Sequence, residues 1–250
     1  MTPTVRVELR VLDCPVAAEV PTPPPRVRLD AVLPLLRALD DQVIAISAET
    51  AVAERGQPVS CRKGCSACCR AQPVHIAPQE AYALARLVDA LPEPWRTAVR
   101  ERFAANVAAL NAAGLYELYL TRERPTDGPA PLDVWRQYHA LRLACPFLED
   151  DACGIHPDRP FICRQFLVTT PAEWCDDPFD PRIRSVPTLM PFVTGALRTA
   201  GQFLGPPWVT VPLTLALEYV AKYRPELERE FPAEAVFRAA LTESTAGPAD

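Results

Sequence analysis

Four thiols lie within nine residues in the stretch Cys61-Arg-Lys-Gly-Cys65-Ser-Ala-Cys68-Cys69. Thiolates are soft ligands that select zinc, copper(I) or iron–sulfur clusters over magnesium and calcium. The C-x3-C-x2-C spacing lets neighbouring thiolates converge on one metal centre from a single loop. The small residues between the cysteines suit a backbone that folds tightly around an ion. The stretch therefore predicts a metal centre.

Four more cysteines follow much later in the chain, at Cys145, Cys153, Cys163 and Cys175. Their long spacings suit a loop that folds over a centre already held by the first cysteines. Cys69 directly follows Cys68, and adjacent side chains usually diverge, so Cys69 is expected to reach a second metal or a different corner of a cluster. Two zinc sites of four thiolates each are an alternative to an iron–sulfur cluster. Cys14 lies outside the pattern and is interpreted as a structural thiol.

The 250 residues carry 31 acidic and 26 basic side chains, so the net charge is −5. Nucleic-acid-binding proteins usually present a basic surface, and this balance argues against such a partner. No apolar run approaches the roughly 20 residues that span a bilayer, and the first ten residues lack the apolar core of a signal peptide. We therefore expect a cytoplasmic protein without nucleic-acid or membrane partners, whose cysteines stay reduced. A protein partner or substrate is left open.

Hydrophobic periodicity and proline positions indicate the secondary structure. The predicted fold class is mainly α, with irregular cysteine-rich metal-binding loops packed among the helices and one short N-terminal strand at residues 4–12. Residues 145–182 show no helical period, and residues 126–131 are predicted to form a loop. The predicted helices span about residues 30–55, 78–91, 94–113, 115–120, 132–144, 187–203, 210–223 and 232–242.

Three segments are predicted along the chain. Residues 1–28 form a strand and a proline-rich linker, and residues 29–242 form a single helical domain that contains the cysteines. Residues 243–250 form a tail.

The cysteines belong to a longer pattern of residues. The pattern continues with Pro73-Val-His-Ile-Ala-Pro-Gln-Glu80, Cys145-Pro-Phe-Leu148, Cys153-Gly-Ile-His-Pro-Asp-Arg-Pro160, Cys163-Arg-Gln-Phe166 and Cys175. In order and spacing it resembles the YkgJ-like cysteine-cluster family of zinc- or iron-chelating domains, over about residues 58–180. The resemblance implies metal chelation by eight aligned cysteines, Cys61, Cys65, Cys68, Cys69, Cys145, Cys153, Cys163 and Cys175. It also implies a link to flagellin lysine N-methylase, which carries a similar cysteine pattern.

Other polar residues near the cysteines have weaker claims to a role at the metal. His156 is the histidine retained as a candidate ligand, although relatives often have tyrosine there. The aspartates near the later cysteines lack the spacing of a calcium loop and are interpreted as turn residues. Basic side chains beside the cysteines could offset the negative charge of a thiolate centre. They are Arg62, Lys63, Arg70, Arg159 and Arg164.

Two classes of function stay open at this point. The first is a metal-binding protein that holds an iron–sulfur cluster or zinc for redox chemistry, metal handling or structural support. The second is an enzyme, an iron–sulfur and S-adenosylmethionine-linked modifier of protein. The C-x3-C-x2-C spacing also occurs in radical enzymes, but those usually have an aromatic residue where this chain has Ala67.

Overall fold

The computed structural model describes residues 3–121, 131–190, 192–205 and 210–242. Within these ranges the chain is mainly α-helical, which confirms the predicted fold class. The helices are α1 (Leu33–Arg55), α2 (Pro78–Ala90), α3 (Trp95–Ala112), α4 (Tyr116–Leu120), α5 (Pro131–Ala140), α6 (Phe161–Gln165), α7 (Phe192–Leu204), α8 (Ala216–Leu227) and α9 (Ala233–Thr242).

The strands are short and form four antiparallel pairs in the described ranges, β1 with β2, β3 with β8, β4 with β7 and β5 with β6. They are β1 (Thr4–Val11), β2 (Cys14–Pro21), β3 (Arg26–Val27), β4 (His75–Ile76), β5 (Leu148–Glu149), β6 (Ala152–Cys153), β7 (Val211–Pro212) and β8 (Phe231–Pro232).

Helix α1 ends where its sequence indicates but begins later than predicted. Residues 29–32 form a 3-10 turn, and the α-helix starts at Leu33 rather than near Asp30. Its end is set by Gly56, which takes a φ of +65° and donates its amide to the carbonyl of Val52. Only glycine adopts this left-handed conformation at little cost, so it is a common helix terminator.

The N-terminal strand is one half of a hairpin, and the sequence analysis missed the other half. β1 occupies the predicted residues, but β2 pairs with it along its whole length. The side chain of Gln42 on α1 anchors β2, because it accepts from the Ala17 amide (3.2 Å) and donates to the Ala17 carbonyl (2.7 Å). Strand β2 therefore occupies residues that the sequence analysis did not assign to a strand. The proposed domain boundary at residue 28 stays a prediction. The hairpin and α1 share one hydrophobic cluster.

The later helices follow the prediction with shifted ends. Helix α5 stops at Ala140 rather than Ala144, and the short helix α6 lies inside the stretch expected to be irregular. The predicted tail at residues 243–250 and most of the loop at 126–131 lie outside the described residues.

Two hydrophobic clusters hold the helices together. The first packs α2, α3, α4, α5 and α8 around Phe147, and the second packs the hairpin with α1, α7 and α9 around Phe161. Both phenylalanines are fully buried, and both belong to the cysteine-rich segment that follows α5. That segment therefore inserts one aromatic side chain into each cluster, which fixes its position between them.

Candidate metal centre

The first cysteine loop begins a few residues after α1. Ser60 ties its start to a distant part of the chain, because the Ser60 amide donates to the carbonyl of Val168 at 2.9 Å. Gly64 takes a φ of +86° between Cys61 and Cys65, a conformation that side chains with a Cβ rarely adopt. This turn allows the two cysteines to stay on one compact loop.

The first loop meets the later cysteine segment through a backbone hydrogen bond. The amide of Cys145 donates to the carbonyl of Cys69 at 2.7 Å. These residues are far apart in the sequence, so only the tertiary fold brings them together. The contact places the start of the second cysteine segment directly against the end of the first loop.

Strands β5 and β6 carry the next cysteine. Asp150 and Asp151 form the turn between them with φ values of +44° and +61°, in agreement with their interpretation as turn residues. Asp151 also accepts a hydrogen bond from the Ser66 hydroxyl at 2.8 Å and forms an ion pair with Arg70. The turn is thereby attached to the first loop, and Cys153 on β6 lies beside it.

Helix α6 carries Cys163 and is positioned by a buried glutamate. The carboxylate of Glu80 accepts from the amide of Phe161, the first residue of α6, at 2.8 Å. It also accepts from the amide of Ala77, which precedes α2, at 2.9 Å. Glu80 is only 1% exposed, and burial raises its pKa while the two amides act in the opposite direction. One carboxylate therefore joins the starts of two helices.

The residues after Cys163 are bound to α1 by hydrogen bonds and ion pairs. Gln165 donates to Asp40 at 2.7 Å, and the Nε atom of Arg164 lies 3.3 Å from the same carboxylate. Arg164 also pairs with Asp41. Arg164, Gln165 and Asp40 are all buried, so this polar network fixes the direction in which α6 leaves the cysteine cluster.

Cys175 lies in a 3-10 turn, Ala172–Asp176, that packs against the turn formed by Cys68–Arg70. The side chain of Gln72 donates to the carbonyl of Cys175 at 2.8 Å. Cys175 is buried, whereas the other seven cysteines of the pattern are half-buried. The last cysteine of the pattern therefore lies against the first loop.

Backbone amides are directed at several of the sulfurs. The amide of Phe147 donates to the sulfur of Cys145, and the amide of Ile155 donates to that of Cys153. Burial raises the pKa of Cys145 to about 12 and the pKa of Cys175 to about 11, and the Phe147 amide lowers the former in part. Amide donors of this kind stabilise a thiolate and also tune the properties of a bound metal.

Cys68 and Cys69 do not diverge as expected. Their sulfurs lie 4.0 Å apart, close enough for one thiol to donate to the other. This contact raises the pKa of Cys68 and lowers the pKa of Cys69. The charge of Cys163 interacts with both residues, so this end of the first loop lies near α6.

All nine cysteines are free thiols. As the side chains stand, no group of three or more His, Cys, Asp or Glu residues in the described ranges forms a ready-made metal site. The donor set nevertheless fits a metal that prefers thiolates, because eight reduced sulfurs occupy segments that contact one another. Amide donors already face some of these sulfurs.

Among the basic residues near the cysteines, Arg159 acts on the thiols directly. Burial raises the pKa of Cys61 and Cys153, and the contact with Cys68 lowers the pKa of Cys69. The positive charge of Arg159, whose side chain is half-buried, acts to lower the pKa of all three. Arg164, by contrast, is held by carboxylates of α1, so it positions α6. Sequence proximity alone did not separate these two roles.

The histidines have other contacts. His156 is exposed in a 3-10 turn, His156–Asp158, and its carbonyl accepts from Arg159 at 3.3 Å. Its role as a ligand stays a prediction. The Nε2 atom of His139 lies 3.0 Å from the carbonyl oxygen of Asp176.

One of three comparisons with known proteins agrees with the cysteine pattern. The model of the CxxCxxCC family, described as a "putative zinc- or iron-chelating domain", matches residues 60–178. The comparison with curated proteins gives no match, and neither does the comparison with solved structures. In the described part of the chain, no helix has the length and apolar character needed to cross a membrane.

Proposed function

We propose that this protein binds metal through its eight clustered cysteines, because residues 60–178 match the model of the CxxCxxCC family, described as a "putative zinc- or iron-chelating domain". The observation that carries the proposal is the hydrogen bond from the Cys145 amide to the Cys69 carbonyl, which joins the two cysteine segments. Cysteines that are free, partly buried and drawn from distant parts of a chain are typical of a thiolate metal centre.

An iron–sulfur cluster is the favoured cofactor, and zinc is the alternative. The C-x3-C-x2-C spacing and the all-cysteine donor set are compatible with a cluster held by thiolates. Seven of the eight cysteines are half-buried, an exposure that is compatible with electron exchange between a cluster and a partner. Redox chemistry or metal handling is the role that this placement supports best.

Either metal would also support the fold locally. Between Cys145 and Cys175 the regular structure consists of two-residue strands, a five-residue helix and 3-10 turns. Such short elements gain little stability alone, whereas structural zinc binding contributes about 10–16 kcal/mol in small metal-dependent domains. We expect metal removal to loosen this segment before it affects α2 or α3.

Anaerobic purification followed by visible spectroscopy and metal analysis tests the proposal. A brown protein with about four irons and matching sulfide for each cluster would support an iron–sulfur centre. A colourless protein with stoichiometric zinc and no sulfide would support zinc and remove the redox role. The variant Cys14→Ser is the matched control, since Cys14 lies in the hairpin and should leave the metal content unchanged. A wild-type protein without bound metal would refute the proposal.

The enzyme alternative rests on the sequence alone. No contact among the described residues favours an S-adenosylmethionine site or protein modification, so that activity stays a prediction. A cytoplasmic location is supported by the free cysteines, since reducing conditions keep thiols available for metal. The acidic balance of the chain is the reason to propose a protein partner rather than nucleic acid or a membrane.

A further inference from the structure

The hairpin formed by β1 and β2 has two outer edges, and in the described part of the chain only one of them is covered. Helix α1 packs against β2, where the side chain of Gln42 binds both the amide and the carbonyl of Ala17. Pro15 and Pro21 on the same strand have no amide proton to offer. Prolines and covering elements of this kind protect a sheet edge from further strands. The outer edge of β2 is therefore closed.

The backbone of β1 presents alternate residues to the opposite edge. The amide of Thr22 donates to the carbonyl of Pro3 at 2.8 Å, so these two residues form a bonded pair across the hairpin. Bonded and non-bonded pairs alternate along antiparallel strands. The same alternation makes Glu8 and Ala17 a non-bonded pair, which agrees with the binding of Ala17 to Gln42. The residues of β1 that point their amides and carbonyls outward are Thr4, Arg6, Glu8 and Arg10.

The outer edge of β1 is open to a further strand. No hydrogen bond from another described residue reaches an amide or a carbonyl of the four outward residues. The strand contains no proline, and it pairs with β2 along all of its 8 residues, so it has no bulge. Val5 adds an apolar side chain that is 41% exposed. A long, regular edge without these protections is a template for pairing with another chain.

The side chains of β1 are complementary to those of a second β1 that runs antiparallel to it. When the pairing is centred on Val7, Arg6 of each copy lies opposite Glu8 of the other. Val7 then faces its own counterpart, and Val5 faces Leu9. The outward residues form the bonded pairs, as the alternation of the ladder requires. Opposite charges and apolar residues in facing positions both stabilise a sheet.

Other registers of this pairing are less favourable. A shift by two residues in one direction places Arg6 opposite Arg6, and a shift in the other direction places Glu8 opposite Glu8. Like charges in facing positions destabilise a sheet. A shift by one residue pairs outward residues with residues that are already bonded to β2, and larger shifts shorten the paired length. The sequence of β1 therefore favours one register, which has two-fold symmetry.

We propose that the protein forms a symmetric dimer in which the β1 edges of two copies pair, so that two hairpins become one four-stranded antiparallel sheet. Two-fold dimers are the commonest assemblies of identical chains, and their interfaces are self-complementary in this way. A single strand pair is at the small end of protein–protein interfaces, so we expect a dimer that dissociates on dilution. The inference concerns self-association and does not depend on metal binding.

Charge reversals in the full-length chain test the pairing by sedimentation velocity over a range of concentrations. Arg6→Glu and Glu8→Arg each replace both opposite-charge pairs of the dimer with like-charge pairs. We expect each variant to raise the dissociation constant of the dimer about tenfold or more. An equimolar mixture of the two variants restores opposite charges at both positions, so we expect it to form a heterodimer.

Two controls accompany the charge reversals. Glu101→Arg reverses an exposed charge on α3, away from the hairpin, and should leave the dissociation constant unchanged. A reductant is present in every sample, because Cys14 is an exposed thiol beside the hairpin turn and a disulfide between two copies would also give a dimer.

Amide hydrogen exchange on the wild type, followed by NMR, locates the interface without any substitution. The outward amides of Arg6 and Glu8 should be protected at high protein concentration and should exchange freely on dilution. The amides of Val5 and Val7 bond to β2 within one copy, so they should stay protected at both concentrations. This measurement also covers the case in which a variant does not fold.

Several results would overturn the proposal. One is a wild-type chain that sediments as a monomer at every concentration, even if its β1 amides become protected when another protein is added. A dimer that both variants keep with wild-type affinity, or a mixture that associates no better than either variant alone, would also contradict it. Protection of Arg6 and Glu8 in the monomer would mean that another segment of the same chain covers β1. Metal content is measured separately, so none of these results decides the metal-binding function.

Discussion

Replacement of Glu80 tests how far a single buried carboxylate organises the cysteine cluster. Its two oxygens accept the amides of Ala77 and Phe161 at 2.9 and 2.8 Å. Glu80→Ala removes both acceptors and leaves two amides without a partner in a buried site. Each unsatisfied buried donor costs about 1–3 kcal/mol, so the expected loss in the free energy of unfolding is about 2–6 kcal/mol.

The variant Glu80→Gln provides a graded comparison. Its amide oxygen can still accept from one backbone donor, while its NH2 group meets the other. The loss should therefore fall between those of the wild type and of Glu80→Ala. The matched control is Glu101→Ala, which alters an exposed glutamate on α3 and should change stability by no more than about 0.5 kcal/mol.

Urea unfolding of the reduced, metal-free proteins, followed by circular dichroism, gives the free energies directly. The same variants are then loaded with zinc, and their affinity is compared by chelator competition. Because α6 carries Cys163, we expect Glu80→Ala to weaken metal binding as well as the fold. If Glu80→Ala lost no more stability than the Glu101→Ala control, the assigned role of the carboxylate would be wrong.

Three further predictions concern the thiols and their surroundings. Burial raises the pKa values of Cys145 and Cys175, so metal must displace protons from these sulfurs. The apparent zinc affinity, measured by chelator competition, should therefore fall as the pH is lowered from 8 to 6. An affinity that does not change with pH would contradict this. Arg159→Gln should weaken metal binding more than Arg62→Gln does, because the charge of Arg159 acts on several cysteines. Equal metal affinities of the two variants would show that Arg159 has no such role. Phe147→Ala should cost about 3–5 kcal/mol in urea unfolding, since Phe147 is fully buried in the first hydrophobic cluster; a loss below about 1 kcal/mol would show that the cysteine segment does not depend on this anchor.

Local chemistry in the sequence was sufficient for most of the helical architecture. Pro78 marks the start of α2, and Gly56 ends α1 with the positive φ that glycine permits. Such signals act within a few residues and need no tertiary partner. The same is true of the cysteine spacing, which predicted thiolate ligands and a resemblance to a metal-chelating family from the order of residues alone.

Strand β2 shows where prediction from the local sequence pattern failed. Its sequence, Cys14–Pro21, contains two prolines and two adjacent alanines and has no clear alternation of apolar and polar residues. Its position depends on pairing with β1 and on the side chain of Gln42 from α1. The pairing joins neighbouring residues across a short turn, but the contact with Gln42 spans 25 residues, and a local pattern cannot contain it.

What the sequence determined by itself was the class of fold and a set of eight candidate ligands of a type that prefers soft metals. The tertiary structure alone decided which cysteines are neighbours, that Arg159 rather than Arg164 acts on the sulfurs, and that Glu80 joins α2 to α6. The physical reason is that ligand type follows from side-chain chemistry, which each residue carries with it. The grouping of ligands follows from distances in the folded chain, and those depend on packing between residues far apart in sequence.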